Sequence, residues 1–348
     1  MSKGKVVSIV VSLVTTLIIL VIGGGIFVAN HYYSNLERTE SLTPQEAGVS
    51  EDLIQKEDKS NIINIAVLGI DRNGDGSPGR SDAIKVVSLD MNQKNVRITS
   101  FQRDTLVYLP EPEGYFDNLN HAYWYGKAPL TLKTLNYNFD LDITRYVAFN
   151  FDAIEYIIDT MGGVQLEVHE NELKVTNDYI SSLNNLSDTD LDAPYLTKGG
   201  VQTLSGRQAM AYMRNRYVGS DFARMDRQNK VMEAMINQLM DQNYTELLAL
   251  LESCLPYVET NLTMNEIISF GTKLLTFNFE NIEQIQIPAA DNKHNTVSFN
   301  GLIHYVMESY QDLVRKVHAF IYNDTQYQPS QTVIETEVAI YEKFGTVE

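Results

Sequence analysis

The stretch IINIAVLGID, residues 62–71, decides the fold class. It is a short apolar run ending on Gly69, Ile70 and Asp71, the pattern of a buried strand feeding a loop. An amphipathic helix would instead repeat its apolar residues every three or four positions. Two further runs stand at Ala83 to Leu89 and Val96 to Phe101, and the turn residues Asp90 to Asn95 between them predict a hairpin. Downstream, Leu130 to Tyr137 and Phe151 to Met161 read as helices around an extended Tyr146 to Phe149. Gly162 and Gly163 then break the chain before the alternating Val164 to Val168. Glu170 to Gly200 is polar and reads as loop. Ser205 is placed to cap a helix reaching about Ala211, and helical patterns cover Asp221 to Gln242, Glu246 to Leu255, Asn265 to Leu275 and Gly301 to Tyr322. Strands interspersed with helices predict an α/β fold of the mixed α+β kind.

Toward the N-terminus the chain changes in kind. Lys3 and Lys5 precede an uncharged stretch from Val6 to Asn30, dense in Val, Ile and Leu. As a helix, Val6 to Ala29 would span about 36 Å, enough for a hydrocarbon core of roughly 30 Å. A cleaved signal peptide has a shorter apolar region and a small-x-small site, which Phe27-Val28-Ala29 matches poorly. We therefore expect a single-pass anchor: residues 1–5 cytoplasmic by the positive-inside rule, 6–30 in the membrane, and Tyr32 and Tyr33 in the outer aromatic belt. Residues 31–60 are polar and read as an extracellular stalk, 61–322 as a single extracellular folded domain, and 323–348 as a loosely attached tail.

The 348 residues are 44% hydrophobic, enough for a full core, and carry a formal net charge of −18. So acidic a chain repels nucleic acid unless it holds a separate basic patch. The single cysteine, Cys254, excludes an intramolecular disulfide and a cysteine metal cage, and is expected to be a buried, inert thiol.

Arginines at element ends carry the chemistry. Arg80 stands in Gly79-Arg80-Ser81-Asp82 before the second strand, and Arg103 in Arg103-Asp104-Thr105 after the third. Arg214 and Arg216 point the same way if their segment is extended, and Arg224, Arg227 and Gln228 share one face if theirs is a helix. Each alone could be a solvated surface charge. Guanidinium groups about 6 Å apart repel by roughly 3 kcal/mol at an effective dielectric near 20, so a converging group needs an anion. Their planar forks suit the oxygens of a diphosphate. Asp71 and Asp82, at facing ends of adjacent strands, would complete a Mg2+ site with phosphate oxygens, with Mn2+ as a substitute.

Two patterns point elsewhere. Asp71, Asn73, Asp75 and Gly76, with Asp82 in twelfth place, look like an EF-hand loop, which would need flanking helices and a final Glu. Ser205 to Lys230 can be read as a DNA-binding helix–turn–helix, but it lies outside the membrane in an acidic chain, so no nucleic-acid partner is expected.

In order along the chain stand Ile70-Asp71, Arg80-Ser81-Asp82, Arg103-Asp104-Thr105, Asn120-His121-Ala122-Tyr123, Asp159 to Val164, Tyr212 to Arg216, and Asp221 to Gln228. Together they resemble the LytR-CpsA-Psr family of cell-wall ligases, over about Ile62 to Ile236. Gln102 departs from the pattern, where the family usually has Pro. The resemblance implies a central mixed sheet flanked by helices, with a hydrophobic groove for a polyprenyl chain. It also implies transfer of a glycopolymer, such as teichoic acid or capsule, from a polyprenyl-pyrophosphate carrier in the membrane to peptidoglycan. The product is a phosphodiester link, at a Gram-positive-type cell surface. By motif position, Asp71 and Asp82 would hold Mg2+, and Arg80, Arg103, Arg214, Arg216, Arg224 and Gln228 would surround the pyrophosphate. Arg227 would join them or serve its own helix. Arg80, Arg103, Asp104 and Arg224 are the expected catalytic residues, Asp104 either orienting Arg103 or serving the metal indirectly. For the acceptor proton His121, Asp71 and Asp82 all stand as candidates, with a structural role weighing against His121.

The expected enzyme is thus a phosphotransferase, with a pyrophosphatase side activity. The alternative is a polyprenyl-pyrophosphatase or phosphatase, whose site would look alike in sequence. A membrane-bound transcriptional regulator would need a cytoplasmic reader that five residues do not supply, and a lipid-binding scaffold would not need the paired acids. The topology is directly testable: protease added to intact protoplasts should degrade the domain, and full protection would contradict an outward-facing chain.

Overall fold

The computed structural model describes residues 37–55, 61–71, 77–111, 113–186, 192–215, 227, 230–231, 234–235, 238, 257–274, 276–277, 282–289 and 292–347. The apolar span at 6–30, Cys254, the helix expected at 246–255 and most of that expected at 221–242 lie outside these residues. In chain order come β1 (Glu37–Arg38), α1 (Glu51–Gln55), β2 (Ile62–Asp71), β3 (Arg80–Asp90), β4 (Asn95–Phe101), β5 (Leu106–Leu109), β6 (Tyr115–Asn118) and α2 (His121–Phe139). Then follow β7 (Arg145–Asn150), α3 (Phe151–Thr160), β8 (Val164–Val168), α4 (Leu173–Leu186), β9 (Gly200–Leu204), α5 (Gly206–Arg214) and β10 (Val258–Thr260). The chain closes with α6 (Met264–Leu274), β11 (Glu283–Ile287), β12 (His294–Phe299), β13 (Leu302–Met307), α7 (Tyr310–Tyr322) and α8 (Gln331–Phe344).

These elements form two compact units. Residues 37–149 and 259–347 make up one, and residues 150–258 the other. The first is organised by a seven-stranded sheet of order β1-β10-β7-β2-β3-β4-β11. It is mixed: β3 pairs antiparallel with β2 and with β4, while β1 pairs β10 and β11 pairs β4 in parallel. The hairpin expected from Ala83 to Phe101 is β3–β4. One face of the sheet, through Ala66, Leu68, Ile84, Val86 and Phe101, joins one buried cluster with Leu132, Leu135 and Phe139 of α2 and Leu313, Val314 and Val317 of α7. The second unit pairs β8 with β9 antiparallel and holds α3, α4 and α5.

Several expectations change, each for a physical reason. α2 begins at His121, nine residues before the helix read from the sequence, because Gly126 and Lys127 leave helical geometry ahead of Pro129 and mask its first turns. Glu170 to Gly200 is not all loop, since α4 runs through it. Gly301 does not open a helix. Asn300 and Gly301 sit at φ of 51° and 76° between β12 and β13, as the two-residue turn of a hairpin requires. The tail expected to be loose carries α8, with Val333 and Ile340 buried in the main cluster, and its capping Ser330 hydroxyl donates to Asp140 at 2.6 Å. The stalk segment contributes the edge strand β1 and buries Ala47.

Asn136 of α2 ties that segment in: its Nδ2 donates to the Ala47 carbonyl at 2.7 Å and the Ile143 carbonyl at 2.8 Å, and its Oδ1 accepts from the Ile143 N–H at 2.9 Å. All three partners are buried backbone groups. Asn136→Ala should therefore cost roughly 3 kcal/mol of stability in denaturant unfolding; a loss below about 0.5 kcal/mol would show that the segment is not held this way.

Candidate functional site

The site is built where β2 ends and β3 begins. Gly79 enters β3 at φ 81°, a conformation that favours glycine, and Asp71 then faces Arg80 across the ladder. Between them the register slips: Gly69 pairs with Ala83 and Ile70 with Ser81, leaving Asp82 as the extra residue of a bulge. Bulges re-aim side chains, often beside functional sites. Here the bulge turns Asp82 inward, its side chain only 7% exposed.

Asp82 is met by two donors. Arg103 Nη1 reaches its Oδ2 at 2.5 Å, and Asn120 Nδ2 reaches its Oδ1 at 3.1 Å. Arg103 Nε in turn donates to Asp104 Oδ2 at 3.2 Å, so Asp104 orients Arg103, one of the two roles expected for it. The turn bearing Arg103 is pinned through its backbone. The Gln102 N–H donates to the Ile287 carbonyl at 2.8 Å, the Asn120 N–H to the Arg103 carbonyl at 3.1 Å, and the Tyr305 N–H to the Asp104 carbonyl at 2.9 Å. Arg80 lies with its guanidinium carbon 5.3 Å from the Trp124 ring centre, and its Nε is buried without a hydrogen-bond partner among the described residues. Asn120 and Trp124 had no assigned role in the sequence reading. Only the Asn120-His121-Ala122-Tyr123 motif marked their neighbourhood.

The expected residues are thus only partly gathered. Asp71, Arg80, Asp82, Arg103 and Asp104 lie together in the sheet unit. Arg214 and Arg227 belong to the other unit, and Arg216, Arg224, Gln228 and Asp221 lie outside the described residues. Arg214 ends helix α5 rather than standing in an extended segment. Arg227, expected near the diphosphate, is buried and taken up by the fold: its Nε donates to Glu172 at 2.7 Å and its Nη1 to the Asn215 carbonyl at 2.9 Å. Strands β2 and β3 flank the loop after Asp71, which excludes an EF-hand.

Among the described residues no group of three or more His, Cys, Asp or Glu side chains could enclose a metal. Two carboxylates are available instead, Asp71 in the last position of β2 and Asp82 at the bulge. This hard, sparse donor set fits Mg2+, which keeps few protein ligands and fills its shell with water and phosphate.

His121 opens α2 beside Asn120, and its Nδ1 lies 2.9 Å from Asp117 Oδ2. Burial alone would push the Asp117 carboxyl up, but the His121 hydrogen bond and charge and the Asn118 N–H outweigh it and hold it below its ordinary value.

The fold is a mixed α/β domain whose strand ends gather arginines and two carboxylates, a candidate anion site. The LytR_cpsA_psr family model matches residues 27–316 of this chain, and the chain belongs to that family. It is 29% identical over 314 residues to the polyisoprenyl-teichoic acid–peptidoglycan teichoic acid transferase TagU of Bacillus cereus (strain AH820), covering 87% of this chain and 94% of TagU. The structure of TagT bound to LI-WTA is similar with a TM-score of 0.53 and 25% identity, over 80% of this chain and 97% of TagT. That of B. subtilis TagV gives 0.54 and 25%, over 78% and 100%.

The Asp117 pair makes a pH prediction. A carboxyl held low stabilises the fold above the ordinary aspartate range, and that stability is lost as pH falls through the folded-state value. In His121→Ala burial remains against only the Asn118 N–H and the charge of His304, so the Asp117 pKa rises and acid unfolding should begin at higher pH. Unchanged acid unfolding by circular dichroism would show that the pair contributes nothing.

Proposed function

We propose that this protein transfers a glycopolymer from a polyprenyl-diphosphate carrier to peptidoglycan, leaving a phosphodiester link. The observation that carries this reading is the Asp82–Arg103 pair with Arg80 beside it, in a family member whose TagU relative is a teichoic acid–peptidoglycan transferase. The carrier is a membrane lipid, which suits a single-pass anchor at 6–30 with the folded part outside, at a Gram-positive-type cell surface.

The chemistry asks for charge placement. An acceptor hydroxyl attacks the polymer-side phosphorus, the bond from that phosphorus to the bridging oxygen breaks, and polyprenyl phosphate departs with the electron pair. The hydroxyl proton is released to water. In so loose a transition state most of the negative charge sits on the phosphoryl and leaving oxygens. Fixed cations therefore contribute more than a strong base. Arg103 is already aimed by Asp82 and Asp104, so it gives up little orientational freedom on binding. Arg80 presents a guanidinium backed by Trp124. Mg2+ held by Asp71 and Asp82 would neutralise phosphate charge when bound. Arg214, Arg216, Arg224 and Gln228 are the further diphosphate ligands of the proposal.

Arg80→Met should weaken octaprenyl diphosphate binding about 10- to 150-fold, the range for one charged hydrogen bond. Trp124, the only tryptophan, supplies the fluorescence signal in the parent and the variant. Arg315→Ala on exposed α7 should bind normally; equal losses in both would remove Arg80 from the site. To separate transfer from hydrolysis, lipid-linked polymer is supplied with and without peptidoglycan fragments. Covalent polymer–peptidoglycan product, abolished by EDTA and restored by Mg2+, is the expected result. Free polymer phosphate alone, indifferent to acceptor, would establish a hydrolase.

A further inference from the structure

Lys85 lies in the middle of β3, with Val67 on β2 and Ser100 on β4 as its ladder partners. Partners and alternate residues share a face, so its surroundings follow from the register. On one side come Ile65, Val87 and Ile98, all buried. On the other come Gly69 and Ala83, with the Phe149 ring against Gly69, and then the Asp71–Arg80 pair that ends the ladder. No large side chain of β2 or β3 on this face separates Lys85 from the Asp71–Arg80 pair. Ala83 and Ile84 lie between it and Asp82, about 10 Å of strand, which a four-carbon stem can partly span.

Its ammonium donates to Ser100 Oγ at 2.8 Å. A hydroxyl is a weak partner for a desolvated cation, and no carboxylate among the described residues pairs with it. Burial pushes its pKa down to about 8. A partly buried charge with no described counter-ion is costly, and its place in the fold calls for an opposite charge that arrives from outside.

Resting on the proposed transfer reaction, we infer that Lys85 is the counter-ion of the lipid-side phosphate of the polyprenyl diphosphate. A lipid diphosphate is amphipathic, and Lys85 stands beside the apolar Ile65, Val87 and Ile98, while Arg103 is held among the polar Asp82, Asp104 and Asn120. When the bond to the bridging oxygen breaks, the departing polyprenyl phosphate gains negative charge. The ammonium neutralises that charge in place, with no proton transferred.

The test uses the full-length protein with Lys85→Met, which keeps the length of the stem, and Lys85→Arg, which keeps the charge. Binding of octaprenyl diphosphate, octaprenyl monophosphate and inorganic pyrophosphate is followed by Trp124 fluorescence and calorimetry. Lys85→Met should lose at least about 10-fold for both lipid phosphates, with Lys85→Arg within about 3-fold of the parent. A smaller loss for pyrophosphate than for the monophosphate is expected, because pyrophosphate can sit on the Arg103 side alone. A loss confined to pyrophosphate would overturn the lipid-side assignment. Val67, Ser100, Ala83 and Val87 flank Lys85 and none titrates in this range; the charged groups beyond them are Asp71, Arg80, Asp82 and Arg103. Affinity of the parent should therefore fall as pH rises past about 8, and this limb should vanish in Lys85→Met. Ligand-free Lys85→Met should melt no lower than the parent, since it loses an uncompensated charge. Parent-like lipid binding by Lys85→Met, or a lowered melting temperature with no binding change, overturns the inference and leaves the transfer reading standing. A parent that binds neither lipid phosphate overturns both.

Discussion

The contact between Arg103 and Asp82 is the constraint on which the rest of the site depends. The carboxylate is almost fully removed from water, and a buried carboxylate without a partner costs several kcal/mol. Three pieces of chain must therefore arrive together. The β2–β3 bulge turns Asp82 inward, the turn after β4 delivers Arg103, and the residue before α2 supplies the Asn120 amide. The backbone hydrogen bonds from Gln102, Asn120 and Tyr305 fix that turn from three directions. Arg103 is thus held in place before any ligand arrives.

That ordering matters because the chain as a whole carries −18. Its long-range field repels an anionic donor, so attraction has to be local and already oriented. Asp82 lowers the net charge at the site but restricts the arginine fork, trading affinity for direction. Arg80 against Trp124 and Lys85 beside Ser100 are cations of another kind. Neither has a described carboxylate partner, so each keeps its charge for an incoming anion. In the proposed reaction the acid-paired arginine sets geometry and these two cations supply attraction.

The sheet was legible because a strand deep in a mixed sheet is apolar along its whole length, and residues 62–71, 83–89 and 96–101 show that directly. The ends of β2 and β3 were legible as motif positions. The bulge was not, since it exists only in the pairing of two strands, and with it went the burial of Asp82. Arg227 looked like a ligand for the same reason Arg103 did, an arginine at a motif position. Its partner Glu172 is 55 residues away, and no local pattern joins them. The Asn300–Gly301 turn carried a readable signal that the longer helical pattern after it obscured. The C-terminal helix was missed because its apolar residues are sparse, and its attachment to Asp140 and Tyr310 is a tertiary matter.

The most direct measurement is the side-chain nitrogen NMR spectrum of Arg103, followed as the protein is titrated with a methylene-bridged octaprenyl diphosphate that cannot be cleaved. The account predicts saturable shifts of the Arg103 guanidinium signals, with the hydrogen bond to Asp82 kept and the Arg315 signals unmoved. Binding of the analogue with the Arg103 signals unchanged would contradict it.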